Sequence, residues 1–108
     1  MAAVIEMRTY RLKPGKRSEF LQIFTTRSVP EHQRLGMRII GPFPSIEDPD
    51  VFFFMRAFPE LAQRDALKQQ FYEGQLWKRE LEAQLMPLIE KYEVVLVEDG
   101  AGLCTPWN

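Results

Sequence analysis

The sequence holds one cysteine, Cys104, and one histidine, His32, among 108 residues. A lone cysteine cannot close an internal disulfide, which predicts a reducing, cytoplasmic setting. One histidine and one cysteine far apart form no zinc or haem motif, so no metal or cofactor is expected. There is no GxGxxG and no glycine-lysine phosphate loop, and no Gly-x-Ser-x-Gly elbow to carry acyl chemistry. No apolar run approaches the ~20 residues of a membrane span. The opening MAAVIEMRTY is too short and too polar for a signal peptide. Neither charge sign is in useful excess: 14 Lys and Arg face 15 Asp and Glu, for a net charge of −1. Neither nucleic acid nor an anionic membrane is therefore an expected partner. Internal repeats and low-complexity segments are missing too.

What is present is an ordinary globular composition, 45% apolar and 27% charged, matching one domain with one core. Residues 4–98 are read as that domain and 99–108 as a mobile C-terminal tail. Residues 3–12 alternate as a strand. Pro14-Gly15 marks a turn, and from Lys16 the spacing of Phe20, Leu21, Ile23 and Phe24 predicts a helix to about Arg27. Val29-Pro30 is expected to break it, with a further helical turn from Pro30 to Gly36. Residues 37–43 read as a second strand, demoted at its far end by Pro42 and Pro44 to an edge or a bulge. Residues 51–58, VFFFMRAF, form the clearest strand. A helix follows Pro59, is interrupted at Gly74 and resumes through Leu81, Leu85 and Leu88, with Pro87 kinking or ending it. Residues 92–99 are the last strand.

The order βαββαβ is the ferredoxin-like signature: an α+β fold with both helices on one face of a four-stranded antiparallel sheet. Helices that are apolar on one side cover only one sheet face. Period-2 parity divides the strand residues between two faces. If Ile5, Met7 and Thr9 face the helices, then Glu6, Arg8 and Tyr10 point away with Phe52, Phe54, Arg56 and Phe58. A soluble monomer rarely leaves such a patch open. The expected cover is a second copy, in a homodimer through that sheet face.

The stretches IEMRTYRLKPGKRSEFLQIF, HQRLGMRIIGPF and FFFMRAFPELAQRDAL resemble the NIPSNAP family. That family favours Arg-Thr-Tyr closing a strand, Leu-x-Pro-Gly, a Gly-led second strand, and an aromatic third strand followed by a helix with an Arg-Asp pair, here Arg64-Asp65. Trp77 matches a tryptophan common on the following helix. Phe58 departs from the family's usual tyrosine, and PFPSIEDPD is this chain's own connection. The resemblance covers residues 4–98 and implies a dimeric α+β barrel. Most members have no defined chemistry; the wider superfamily includes cofactor-free monooxygenases, haem-handling proteins and stress-response proteins.

Candidate residues fall into two groups. His32 and Tyr10 are the candidate catalytic groups, His32 as a general base near the mouth of a barrel. The competing reading of His32 is a surface histidine at a helix end. Glu6, Arg8 and Arg56, with Phe52, Phe54, Phe58 and Trp77, are the candidate ligand-binding set. Arginine forks suit a carboxylate or phenolate, and the aromatics supply an apolar wall. The competing reading is a structural Glu6–arginine network with ordinary core packing. Glu80, Glu82, Glu90 and Glu93 read as solvated. Three functions follow: a homodimer binding a small apolar or aromatic molecule, with or without an acid group, in a cavity between sheet and helices or partner; a cofactor-independent oxygenase or isomerase; and a non-catalytic interaction protein.

Overall fold

The computed structural model describes residues 2–104, 106 and 107. Four strands form one antiparallel sheet in the order β2-β3-β1-β4. They are β1 (Val4–Leu12), β2 (Arg38–Pro44), β3 (Val51–Phe58) and β4 (Ile89–Glu98). β1 and β3 are central and carry most of the core. β2, at one edge, shifts register between Ile40 and Phe43, where Pro42 removes a ladder donor. β4 starts at Ile89, three residues before the expected Tyr92. Pro87 sits in a 3-10 turn, Met86–Leu88, that ends the helix and releases the chain into extended geometry.

Three helices span β1 to β4: α1 (Arg17–Ile23), α2 (Val29–Leu35) and α3 (Leu61–Tyr72), and a short α4 (Glu82–Leu85) completes the layer. The expected break at Val29-Pro30 is not there. Val29 keeps helical angles, φ −60° and ψ −49°, and α1 runs into α2 through a π turn, Phe24–Ser28. A proline ring clashes with the carbonyl four residues back, and a wider turn relieves that crowding without ending the helix. The hydroxyls of Thr25 and Thr26 donate to the carbonyls of Leu21 and Gln22, which supports the expanded turn. Gly36, at φ 99°, closes α2 in the left-handed conformation that glycine adopts without strain. A second π turn, Trp77–Leu81, precedes α4.

The π turns set the inward register. Phe20, Phe24, Ser28 and His32 are all buried at a constant spacing of four, as are Leu81 and Leu85 following Trp77. In a helix of 3.6 residues per turn that spacing drifts by about 40° a step. The wider π turn turns back part of the drift, so each ladder stays aimed at the sheet.

The helices cover the sheet face opposite to the one expected. Val4, Tyr10, Leu12, Phe52, Phe54 and Phe58 pack with Phe20, Phe24, Phe71 and Leu81 in the main core, and Glu6, Arg8 and Arg56 lie beneath the same helices, all buried. Alternation separates two faces but does not say which one the helices take. The choice follows from charge: α2 and α3 bring the partners that these ionised side chains need once they leave water. The open face is built from Met7, Thr9, Phe53, Met55, Phe43 and Val95, with Met7 37%, Phe43 49% and Val95 59% exposed.

One end of the open face is occupied by the chain itself. Ala3, Ile5, Ala57 and Cys104 form a second buried cluster, with Ile40, Met55, Val97 and Trp107 against it. The Asp99 carboxylate accepts from the backbone N–H groups of Leu103 and Cys104. Arg38 donates to the carbonyls of Cys104 and Pro106 and lies 4.2 Å from the Trp107 ring centre. The segment read from sequence as a mobile tail is thus tied down along its described residues; the remainder of that segment, Thr105 and Asn108, lies outside the described residues.

The two faces differ in their tolerance of charge. Phe54→Asp places a carboxylate in the closed core and is expected to abolish the cooperative urea transition, since such burial costs more than about 4 kcal/mol. Thr9→Lys, on the open face beside Glu93, is expected to keep a cooperative urea transition. The reverse order would mean that the helices cover the other face.

Candidate functional site

Beneath the helices one carboxylate gathers four cations. Glu6 Oε1 accepts from Arg8 Nη1 at 2.6 Å and from Arg56 Nε at 2.8 Å. Its Oε2 accepts from Arg64 Nε at 2.8 Å and is ion-paired with Arg64 Nη2 at 2.7 Å and Lys68 Nζ at 3.1 Å. Burial by itself raises the Glu6 pKa, but Arg56 and Arg8, then Arg64 and Lys68, more than reverse this and hold it at about 2. Glu6 is therefore ionised and has no lone pair left for a reacting group.

The two buried arginines reach from Glu6 towards a cavity of about 140 Å³ between sheet and helices. Arg8 donates through Nε and Nη2 to the Tyr10 hydroxyl at 3.2 and 2.9 Å, and its guanidinium lies 5.5 to 5.9 Å from the ring centres of Tyr92, Tyr10 and Phe54. Arg56 Nη1 donates to the Tyr72 hydroxyl at 2.9 Å and to His32 Nε2 at 3.1 Å. Arg56 Nη2 has no partner among the described residues. Phe20, Phe24, Phe54, Phe71 and Trp77 supply most of the apolar wall, and the exposed residues Met86 and Tyr92 frame the mouth.

His32 is not the surface histidine of the competing reading: it lines the cavity, is 2% exposed, and its ring stacks on Phe71 at 4.0 Å. A carbonyl only accepts, so the 2.8 Å contact with the Ser28 oxygen places the proton on Nδ1. A guanidinium only donates, so Nε2 accepts from Arg56. Burial first and the Arg56 charge second lower its pKa to about 3. His32 lines the cavity as a neutral, fully bonded ring and is not poised as a base. Tyr10 is no readier: burial raises its pKa, only partly offset by Arg8.

Of the sequence-derived set, His32, Tyr10, Arg8, Arg56, Phe54 and Trp77 meet at one cavity. Glu6 stands behind the arginines, and Phe52 and Phe58 are fully buried core that does not line it. Sequence reasoning missed Tyr72, the hydroxyl on Arg56, and the aromatic pair Phe20 and Phe24. The four-residue ladder from Phe20 to His32 was the available signal. It was obscured by the break assigned to Pro30. Among the described residues no cluster of His, Cys, Asp and Glu could hold a metal ion, and no helix is long and apolar enough to cross a membrane.

The site makes folding sensitive to acid. His32 has a folded pKa of about 3 against ~6.5 unfolded, so between these values the unfolded chain binds the extra proton and stability falls as pH falls. Glu6, with a folded pKa of about 2, adds a second loss in the same direction below its unfolded value of ~4.3. Urea unfolding is expected to show about 2 kcal/mol lost between pH 7 and pH 5, most of it from His32. His32→Gln should flatten that interval, because the chain has no other histidine; an unchanged slope would show that His32 is not held neutral.

Comparison with known proteins places this architecture. The NIPSNAP family profile matches residues 5–97. A NIPSNAP domain protein from Burkholderia xenovorans superposes with a TM-score of 0.76 at 24% identity, covering 87% of this chain and 91% of that one. A NIPSNAP family protein from Agrobacterium tumefaciens gives 0.80 at 23% identity, over 90% and 85% of the two chains. The fold extends to a putative antibiotic biosynthesis monooxygenase from Nitrosomonas europaea, with a TM-score of 0.72 at 14% identity over 90% and 89%. No curated protein matches the sequence. With the profile spanning nearly the whole βαββαβ unit, the chain belongs to the NIPSNAP family.

Proposed function

We propose that this protein is a homodimer that binds a small, largely apolar, aromatic-shaped molecule in the cavity between sheet and helices. The observation that carries the binding role is the cavity: about 140 Å³ walled chiefly by aromatic rings, in the range of an apolar cavity known to hold benzene. Binding without catalysis is favoured over an oxygenase or isomerase by the state of the polar groups. His32 has both nitrogens engaged, Glu6 has both oxygens engaged, and the Tyr10 oxygen is held by Arg8. None is a free base at neutral pH. A role confined to surface contacts leaves the internal cavity unused.

The homodimer rests on the open sheet face, which is the reverse of the Phe52 and Phe54 face expected from sequence. A four-stranded sheet with strands of seven to ten residues has a plan area of roughly 500 Å². The chain's own Cys104 segment covers one end of it, so a second copy seats on the remainder, a smaller area than the ~800 Å² per partner of a standard interface. Its centre is apolar, Met7, Met55, Phe53 and Val95, while Arg11, Lys91 and Glu93 sit towards one end. A two-fold related copy matches such a surface with itself.

Two measurements test these roles. Light scattering at micromolar concentration is expected to give the mass of two chains, and Val95→Arg that of one with the fold kept; a parent protein that is monomeric would refute the dimer. A thermal-shift series of single-ring aromatic compounds, neutral and charged, is expected to raise the midpoint. A ligand at 100 times its Kd adds about 2.7 kcal/mol. Met86→Trp, narrowing the mouth, should weaken every hit, and no stabilisation by any member would count against the cavity as a binding site.

A further inference from the structure

We propose that the cavity's guest is the anion of a single-ring aromatic acid, its carboxylate or phenolate oxygen taken by the Tyr72 hydroxyl beside the Arg56 charge. This rests on the cavity being a binding site and adds the charge, size and orientation of the molecule that enters it.

The first support is an unmatched charge. Arg8, Arg56, Arg64 and Lys68 converge on Glu6 alone, a surplus of three positive charges. Among the described residues the one further carboxylate in ion-pair reach is Asp65, 98% exposed and 4.0 Å from Arg64 on its solvent side. It does nothing for the buried pair. Arg8 and Arg56, 5% and 1% exposed, share a single oxygen of Glu6. A buried cation without its own counter-charge is costly, and an anion in the adjoining space removes that cost.

The second support is the sense of every hydrogen bond at the cavity. Arg56 Nη2 is a donor with no acceptor among the described residues and is closed off from the cavity itself, so Arg56 contributes charge there rather than a free N–H. The Tyr72 oxygen accepts from Arg56 and the Tyr10 oxygen accepts twice from Arg8. Each hydroxyl therefore offers its own proton outward, and among the described residues neither has an acceptor for it. His32 can contribute no acceptor, because Arg56 already uses its Nε2 lone pair. Beside these donors the Ser28 hydroxyl, which also lines the cavity, can donate or accept. A carboxylate, which brings only acceptors and a negative charge, suits a donor-rich, cationic lining better than an amide does.

The third support is size. About 140 Å³ suits one ring with a short substituent, and a larger guest has to extend through the mouth. The walls are tilted aromatic faces from Phe24, Phe54, Phe71 and Trp77, which favour a flat guest. With the acid group at Arg56, the ring extends towards the Met86 and Tyr92 mouth.

Benzoate and benzamide, matched in shape, separate charge from fit. Calorimetric titration is expected to show benzoate binding at least about tenfold tighter than benzamide, the difference of one charge-assisted hydrogen bond. Tyr72→Phe keeps Glu6 and its four ion-pair partners, removing only the hydroxyl that accepts from Arg56, and should cut benzoate affinity about tenfold while leaving benzamide unchanged. Arg56→Met should remove the preference for benzoate altogether. Should that variant fail to fold, Tyr72→Phe and Arg56→Lys, which keeps the charge, decide the matter. Equal affinity for the two compounds would overturn the acid assignment and leave the binding cavity standing, as would benzoate binding that Tyr72→Phe does not weaken. Protection by inorganic phosphate equal to that by benzoate would overturn the aromatic part. Binding of neither compound, together with no hit in the wider aromatic series, would overturn both readings.

Discussion

The ion cluster on Glu6 is the constraint on which the remaining architecture depends. A carboxylate on the central strand β1 is fully buried, and water can no longer solvate it. Its compensation comes from three places at once: Arg8 on its own strand, Arg56 on β3, and Arg64 with Lys68 on α3. Arg56 then reaches His32 on α2 and Tyr72 at the end of α3. Sheet and helices are thereby joined by polar contacts that hold in one docking arrangement. Apolar packing of Phe20, Phe24, Phe52 and Phe54 tolerates some sliding; a converging set of charge-assisted bonds tolerates little.

The same cluster explains why the cavity lies where it does. Side chains as long as arginine and as broad as tyrosine prop the helical layer away from the sheet, and the space between is finished by rings. The polar lining is a by-product of holding the layers together and, equally, the feature that gives the space its chemical character. His32 shows the two roles merging. It is bonded at both nitrogens, to α2's own backbone and to Arg56, so it is part of the frame rather than a reagent.

The sequence made the fold legible because its signals are local. Pro14-Gly15, the VFFFMRAF run and the stripe through Leu81, Leu85 and Leu88 each mark one element, and their order admits few topologies. The convergence of Arg8, Tyr10 and Arg56 was legible for the same reason, since parity places them on one face of paired strands. Which face that is was not legible. β3 is apolar on both sides, Phe52 and Phe54 against Phe53 and Met55, so hydrophobicity alone does not choose between them. The deciding partners, Arg64, Lys68 and Tyr72, lie on a helix whose exposed-looking charges gave no hint that they point inward. His32 was misplaced because proline was taken as a terminator; the wider turn that accommodates it depends on neighbours that no local rule includes.

The two π turns carry a consequence for how such a chain can change in length. Each turn holds one more residue than an α-helical turn of the same span. Loss of a single residue between Phe24 and Ser28 would restore a regular helix at no cost in backbone hydrogen bonds. Because the span is unchanged, everything beyond the turn keeps its facing: His32 stays against Arg56, and Leu85 beyond Trp77–Leu81 stays aimed at the sheet. Only residues inside each turn change the side they present. A chain of this kind is expected to vary in length by one residue at either π turn, as well as in its loops, such as 44–50.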